Sequence, residues 1–185
     1  MLQKLKQKIF KERKKNLMVN EKIEYSNLDL LHPFENNPFQ SVDESENDEL
    51  RDSVKEFGII TPLIVNKSDN GYEIISGHRR WQIAKELNLD VVPVYVRDFS
   101  KEEAVINFVD CNLSREKILP SEKARAYKMK HDAMKKQGAR TDLTSSQVGT
   151  KFRSDEKLAE TMPDSRMQIQ RYIRLNNLQA ALLDM

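Results

Sequence analysis

Tyr72-Glu73-Ile74-Ile75-Ser76-Gly77-His78-Arg79-Arg80-Trp81-Gln82-Ile83-Ala84-Lys85-Glu86-Leu87 carries the chain from a strand into a helix across one glycine. The stretch before Gly77 is apolar and β-rich, and the stretch from Trp81 reads as helix. A glycine lets the backbone approach a ligand closely, and a helix start offers free N–H groups to an anion. Arg79 and Arg80 add fixed positive charge and forked donors suited to phosphate oxygens. The turn reads as a phosphate-handling site. The plainer alternative is a tight turn whose two arginines sit in water.

Working outward, Pro62 to Asn66 reads as a strand, Ser68-Asp69-Asn70-Gly71 as a turn, and Tyr72 to Ile75 as the return strand of a hairpin. Upstream, the acidic run Asp43, Glu44, Glu46, Asp48, Glu49 suits a helix start, because carboxylates oppose the helix dipole. Leu50, Val54 and Phe57 recur at helical spacing, and Gly58 ends that helix. Ile23 to Leu31 can enter a sheet, and His32 to Gln40, punctuated by two prolines and two asparagines, is a loop. Downstream, Val91 to Val96 forms a strand, and Pro93 places it at a sheet edge. Ser100 and Glu103 form a capping box that opens a helix with Ala104, Val105, Phe108 and Val109 inward.

From Pro120 the strands disappear. Ser121 to Lys136 is a helix ended by Gly138, and residues 139–150 are a polar loop. Ser154 caps a short helix whose apolar face is Leu158, Ala159 and Met162. Pro163-Asp164-Ser165 breaks it, and a second helix runs from Ser165 to about Asn177 with Ile169, Tyr172 and Ile173 inward. The expected fold class is α+β. A basic arm spans 1–22, a mixed α/β domain 23–115 and an all-helical domain 116–185.

Two short helices joined by a tight turn are a helix-turn-helix candidate, whose second helix enters the major groove. Here that helix carries Ser165, Arg166, Gln168, Gln170, Arg171 and Arg174, with no acid from Ser165 to Leu175. Arg can read guanine edges and Gln adenine edges, and the remaining cations suit phosphates. The competing reading is a helix pair with a polar face. Pro163 stands where glycine commonly makes the turn, so the turn must be built differently.

At 185 residues with 38% apolar side chains the chain can bury a core. Its 32% charged residues exceed the usual ~25%, so much of it faces water or polyanions. The net charge of +2 is asymmetric: Lys4, Lys6, Lys8, Lys11, Arg13, Lys14 and Lys15 crowd the first twenty residues against Glu12 alone. Such an arm suits phosphate backbones or is a solvated tail. The single cysteine, Cys111, allows no intrachain disulfide and fits a reducing compartment. No apolar run approaches the ~18 residues of a membrane span. The basic start lacks a signal-peptide core, which points to the cytoplasm.

Taken in order, Asn37-Pro38-Phe39-Gln40, Gly58-Ile59-Ile60-Thr61-Pro62-Leu63, Ser76-Gly77-His78-Arg79-Arg80-Trp81, Val92-Pro93-Val94, Asn112-Leu113-Ser114-Arg115, Leu119-Pro120-Ser121-Glu122-Lys123-Ala124 and the helix-turn-helix resemble the ParB-like partition proteins. The resemblance covers residues 23–180. It implies a ParB/sulfiredoxin-like N-terminal domain, a CTP site with magnesium, and a clamp that binds double-stranded DNA at an inverted-repeat site. It also implies a homodimer, a ParA-like ATPase as partner, and a role on the nucleoid or on plasmids. Thr61, Pro62, Gly77, His78, Arg79, Arg80, Asn112 and Arg115 fall at its nucleotide positions, with Asn112 at its metal position. The chain departs from the family where His78 and Cys111 replace glutamates, and where Gln40-Ser41-Val42 replaces Gln-Pro-Arg. Losing two carboxylates weakens the case for metal binding and for CTP hydrolysis, since magnesium prefers oxygen ligands. No catalytic residue is expected. Alternatives on the same scaffold are a transcriptional regulator, a nucleoid-occlusion-like adaptor, or a CTP-hydrolysing enzyme. His78 and Cys111 lack the further ligand spacing of a metal site and read as structural, and Trp81 and Tyr72 read as core.

Overall fold

The structure, a computed structural model, describes residues 22–39, 44–113, 118–141, 158–159, 162 and 164–183. The basic arm before Lys22, Arg115, Pro163 and most of the first helix of the helix-turn-helix lie outside the described residues.

The chain runs β1 (Glu24–Asn27), a 3-10 turn (Leu28–Leu30), β2 (Leu31–His32), α1 (Glu44–Phe57), β3 (Leu63–Ser68), β4 (Gly71–Ser76), α2 (His78–Glu86), β5 (Val91–Arg97), α3 (Lys101–Leu113), α4 (Pro120–Thr141) and α5 (Arg166–Leu183). The five strands form one mixed sheet in the order β1-β5-β3-β4-β2. β3 and β4 are the antiparallel hairpin, while β3 lies parallel to β5 and β4 parallel to β2.

Side chains alternate across a strand, so a sheet covered on both faces needs unbroken apolar runs. Leu63-Ile64-Val65 and Ile74-Ile75 are such runs. Leu63, Val65 and Ile74 face one way, into a cluster with Leu28, Leu31, Trp81, Ala84, Val92 and Val94. Ile75 and Ile64 face the other way, into a cluster with Phe34, Phe39, Ala104, Phe108, Val109 and Leu113. α2 covers the first face and α3 the second. The second cluster continues into Ala126 and Tyr127 of α4, Leu158, and Ile169 of α5. One apolar core therefore crosses the expected boundary at residue 116.

Three expectations need correction. β5 is not an edge strand, because β1 pairs with it from Glu24↔Val94 to Asn27↔Val91. Its ladder to β3 begins at Val94, one residue past Pro93, so the proline sits outside that ladder. Gly138 does not end α4, which runs on to Thr141. An interior glycine costs about 1 kcal/mol, little against a helix face that buries Ala126, Tyr127, Lys130 and Ala133. α5 continues past Asn177 to Leu183, since no Gly or Pro interrupts it.

Candidate nucleotide and DNA surfaces

Gly77 adopts φ +104°, and a Cβ there would lie 2.9 Å from Leu63 Cγ. Both facts demand glycine, and they set α2 to start against the head of β3. The two arginines then diverge. Arg79 Nε donates to Asn47 Oδ1 of α1 at 2.8 Å. Arg80 Nη1 donates to the carbonyls of Thr61 and of Pro62, the latter at 3.1 Å. Burial pulls the Arg80 guanidinium below its usual pKa. Its Nε and Nη2 donors have no partner among the described residues.

A cavity of about 380 Å³ opens beside Arg80, walled by Leu50, Ser53 and Val54 of α1 and by the segment Gly58, Ile59, Ile60, Thr61. Arg79 grips α1 one turn before that wall. An apolar slot with one forked cation at its rim can take a flat ring and an anionic tail. Of the expected residues, Thr61 and Arg80 line this cavity and Pro62 holds Arg80, while Gly77 and Arg79 are not among its walls. Leu50 and Val54 read only as an apolar helix face, and Asn47 and Ser53 gave no signal, because a helix face that lines a cavity looks the same in sequence as one packed on a core.

His78 and Asn112 are buried and are not among the walls of the cavity. His78 is 8% exposed, and its Nε2 accepts the N–H of Phe34 at 3.2 Å. Asn112 is 4% exposed, and its Nδ2 donates to the Phe108 carbonyl at 2.8 Å. Cys111 is exposed, and its thiol is pushed up in pKa by partial burial and by neighbouring Asp110. Among the described residues no group of three His, Cys, Asp or Glu is placed to hold a metal ion. An imidazole, a protonated thiol and one amide oxygen do not make a magnesium site.

α5 opens with a second capping box. Ser165 N–H donates to Gln168 Oε1 at 2.9 Å, and Gln168 N–H donates to Ser165 Oγ at 3.4 Å. Those two side chains start the helix. Just before it, Asp164 Oδ2 accepts the Tyr127 hydroxyl at 2.5 Å and lies 3.5 Å from Lys123 Nζ, which ties α5 to α4. Ile169 is buried, Tyr172 and Ile173 pack on the core, and Arg171 and Arg174 are exposed. Arg166 and Gln170 are half-buried flanks. Met167, 64% exposed amid this polar face, was missed because its spacing carries no charge signal. A second cavity of about 420 Å³ lies between the Asn36-Asn37-Pro38 loop, Arg125, Lys128 and Asp132 of α4, and Asn176 of α5. Lys130, buried, pairs with Asp110 of α3 at 2.5 Å and fixes α4 on α3.

The family model described as the ParB N-terminal domain matches residues 12–113. Stage 0 sporulation protein J of Bacillus subtilis is 37% identical over 150 residues, 80% of this chain and 46% of that protein. The probable chromosome-partitioning protein ParB of Rickettsia typhi is 30% identical over 165 residues, 89% of this chain and 51% of that protein. The chain spans about half the length of the curated relatives it matches. Among solved structures, the C-terminally truncated chromosome-partitioning protein ParB from Caulobacter crescentus, complexed to the centromeric parS site, is similar in fold. Its TM-score is 0.54 at 23% identity, over 87% of this chain and 78% of that one.

Proposed function

This chain belongs to the ParB N-terminal domain family, and from that premise we propose that it is a sequence-specific DNA-binding protein of chromosome or plasmid partition. Its α/β part takes CTP in the cavity beside Arg80. Gly77, Arg79 and Arg80 serve the phosphates, and Thr61 and Pro62 hold Arg80 in place. Arg115 completes the nucleotide contacts, while Asn112, buried on the Phe108 carbonyl, supports the site from within the core. The nucleotide works as a bound switch, with no catalytic residue assigned.

Helix α5 lies in the major groove. Arg171 and Arg174 meet bases or phosphates, Arg166 and Gln170 flank them, and Ser165 and Gln168 set the helix start that faces the DNA. Inverted-repeat DNA calls for a two-fold pair of chains, so the working unit is a homodimer. A ParA-like ATPase is its partner in segregation. No helix among the described residues is long and apolar enough to cross a membrane.

The observation that supports this reading most is the continuity of one core, from Ile75 beside the glycine-arginine turn to Ile169 under the cationic helix. Such packing ties the glycine-arginine turn to the cationic helix. Fluorescence anisotropy with a parS-type inverted-repeat duplex and a scrambled duplex tests it. The inverted repeat is expected to bind at least about tenfold tighter throughout a salt titration. Equal affinities would contradict it, because phosphate contacts alone are blind to sequence.

A further inference from the structure

His78 is the first residue of α2, yet its ring turns into the core rather than toward the cavity. Its Nε2 accepts the N–H of Phe34 at 3.2 Å, joining positions 44 residues apart. The Phe34 ring stacks on Phe108 with centroids 4.0 Å apart and planes at 6°. His78 meets the same Phe108 edge-on, at 5.7 Å and 78°. The Phe108 carbonyl in turn accepts Asn112 Nδ2 at 2.8 Å. One imidazole thus links the loop 33–39, the glycine-arginine turn and, through Phe108, the turn of α3 that carries Asn112. An accepting ring nitrogen must hold a lone pair, so the neutral ring is the form that fits.

We infer that His78 is a positioning residue of the nucleotide site, locking the loop 33–39 and α3 onto the start of α2 without touching the ligand. The inference rests on the nucleotide-binding reading of the neighbouring cavity. A buried backbone N–H left without an acceptor is costly, so the loop is expected to leave α2 once the acceptor is removed. That movement releases Phe34 from Phe108 and loosens the register between α2 and α3, and nucleotide affinity falls.

The test uses the full chain in two variants and two readouts. His78→Gln keeps an acceptor oxygen at similar reach, and His78→Leu keeps bulk without an acceptor. In calorimetric titrations with CTP, His78→Gln is expected to stay within about threefold of the parent and His78→Leu to weaken about tenfold or more. In nitrogen-labelled protein without nucleotide, a scalar coupling is expected between the Phe34 amide nitrogen and His78 Nε2. Absence of that coupling overturns the proposal, as does a folded His78→Leu that binds CTP as tightly as the parent. Should His78→Leu fail to fold, a tenfold loss in His78→Gln overturns it, because the acceptor is retained there. A parent chain that shows the coupling but binds no CTP overturns the nucleotide reading and the positioning role with it, while leaving the hydrogen bond intact.

Discussion

Gly77 and Arg171 show two ways a single residue can matter. At Gly77 a methyl group meets Leu63 Cγ at 2.9 Å on a backbone already at φ +104°. Gly77→Ala is therefore expected to destabilise the fold by about 1–3 kcal/mol, read from denaturant melts. An unchanged midpoint would mean that the turn relaxes freely. Arg171 is exposed on α5, a helix with no acidic residue. Arg171→Ala is expected to leave stability unchanged and to cost about 1–3 kcal/mol of specific DNA binding, with less effect on nonspecific binding. An unchanged specificity ratio would remove it from base readout. The requirement for glycine was legible in the sequence, since a strand running straight into a helix leaves few other residues for the turn. The divergence of Arg79 and Arg80 was not. Which carbonyl or carboxamide captures a guanidinium depends on Asn47, Thr61 and Pro62, which reach it only through the tertiary fold.

The elements were the most legible part. The hairpin, the Ser100–Glu103 capping box and the inward face of α3 stand where periodicity and caps put them, with Ser100 N–H donating to Glu103 Oε2 at 3.0 Å. The misplacements at Pro93 and Gly138 have one cause: a local breaker is weighed against packing that sequence spacing does not reveal. The junction of α4 and α5 gives an expectation of its own. The Tyr127 hydroxyl is buried and donates to Asp164, and burial, with that carboxylate, pushes its pKa well above the ordinary phenol value. The unfolded chain ionises this phenol near pH ~10 while the folded chain keeps it protonated, so its contribution is full below that pH and is lost as pH rises further. Tyr127→Phe is expected to lose about 1–2 kcal/mol at pH 8, and the gap to the parent should narrow above pH ~10 in denaturant melts. A gap that stays constant to high pH would show that folding does not hold the phenol protonated.

At the scale of the whole molecule, a mixed sheet carries one core on each face, and one of these cores runs on through α3 and α4 to α5. The two-part order, α/β then helical, was legible from where strands cease. The shared core was not, because Phe34, Phe108, Tyr127 and Ile169 lie far apart along the chain and each looks like ordinary local packing. That continuity joins Ile75, at the glycine-arginine turn, to the cationic helix, and on the proposed reading the two sites are linked, so that binding at them is reciprocal. The direct measurement is the dissociation constant of CTP for the full chain in the presence of saturating inverted-repeat duplex and of saturating scrambled duplex. Coupled sites give constants that differ about fivefold or more. Identical constants, with both CTP and the inverted repeat bound, would contradict the coupling of the two modules through their common core.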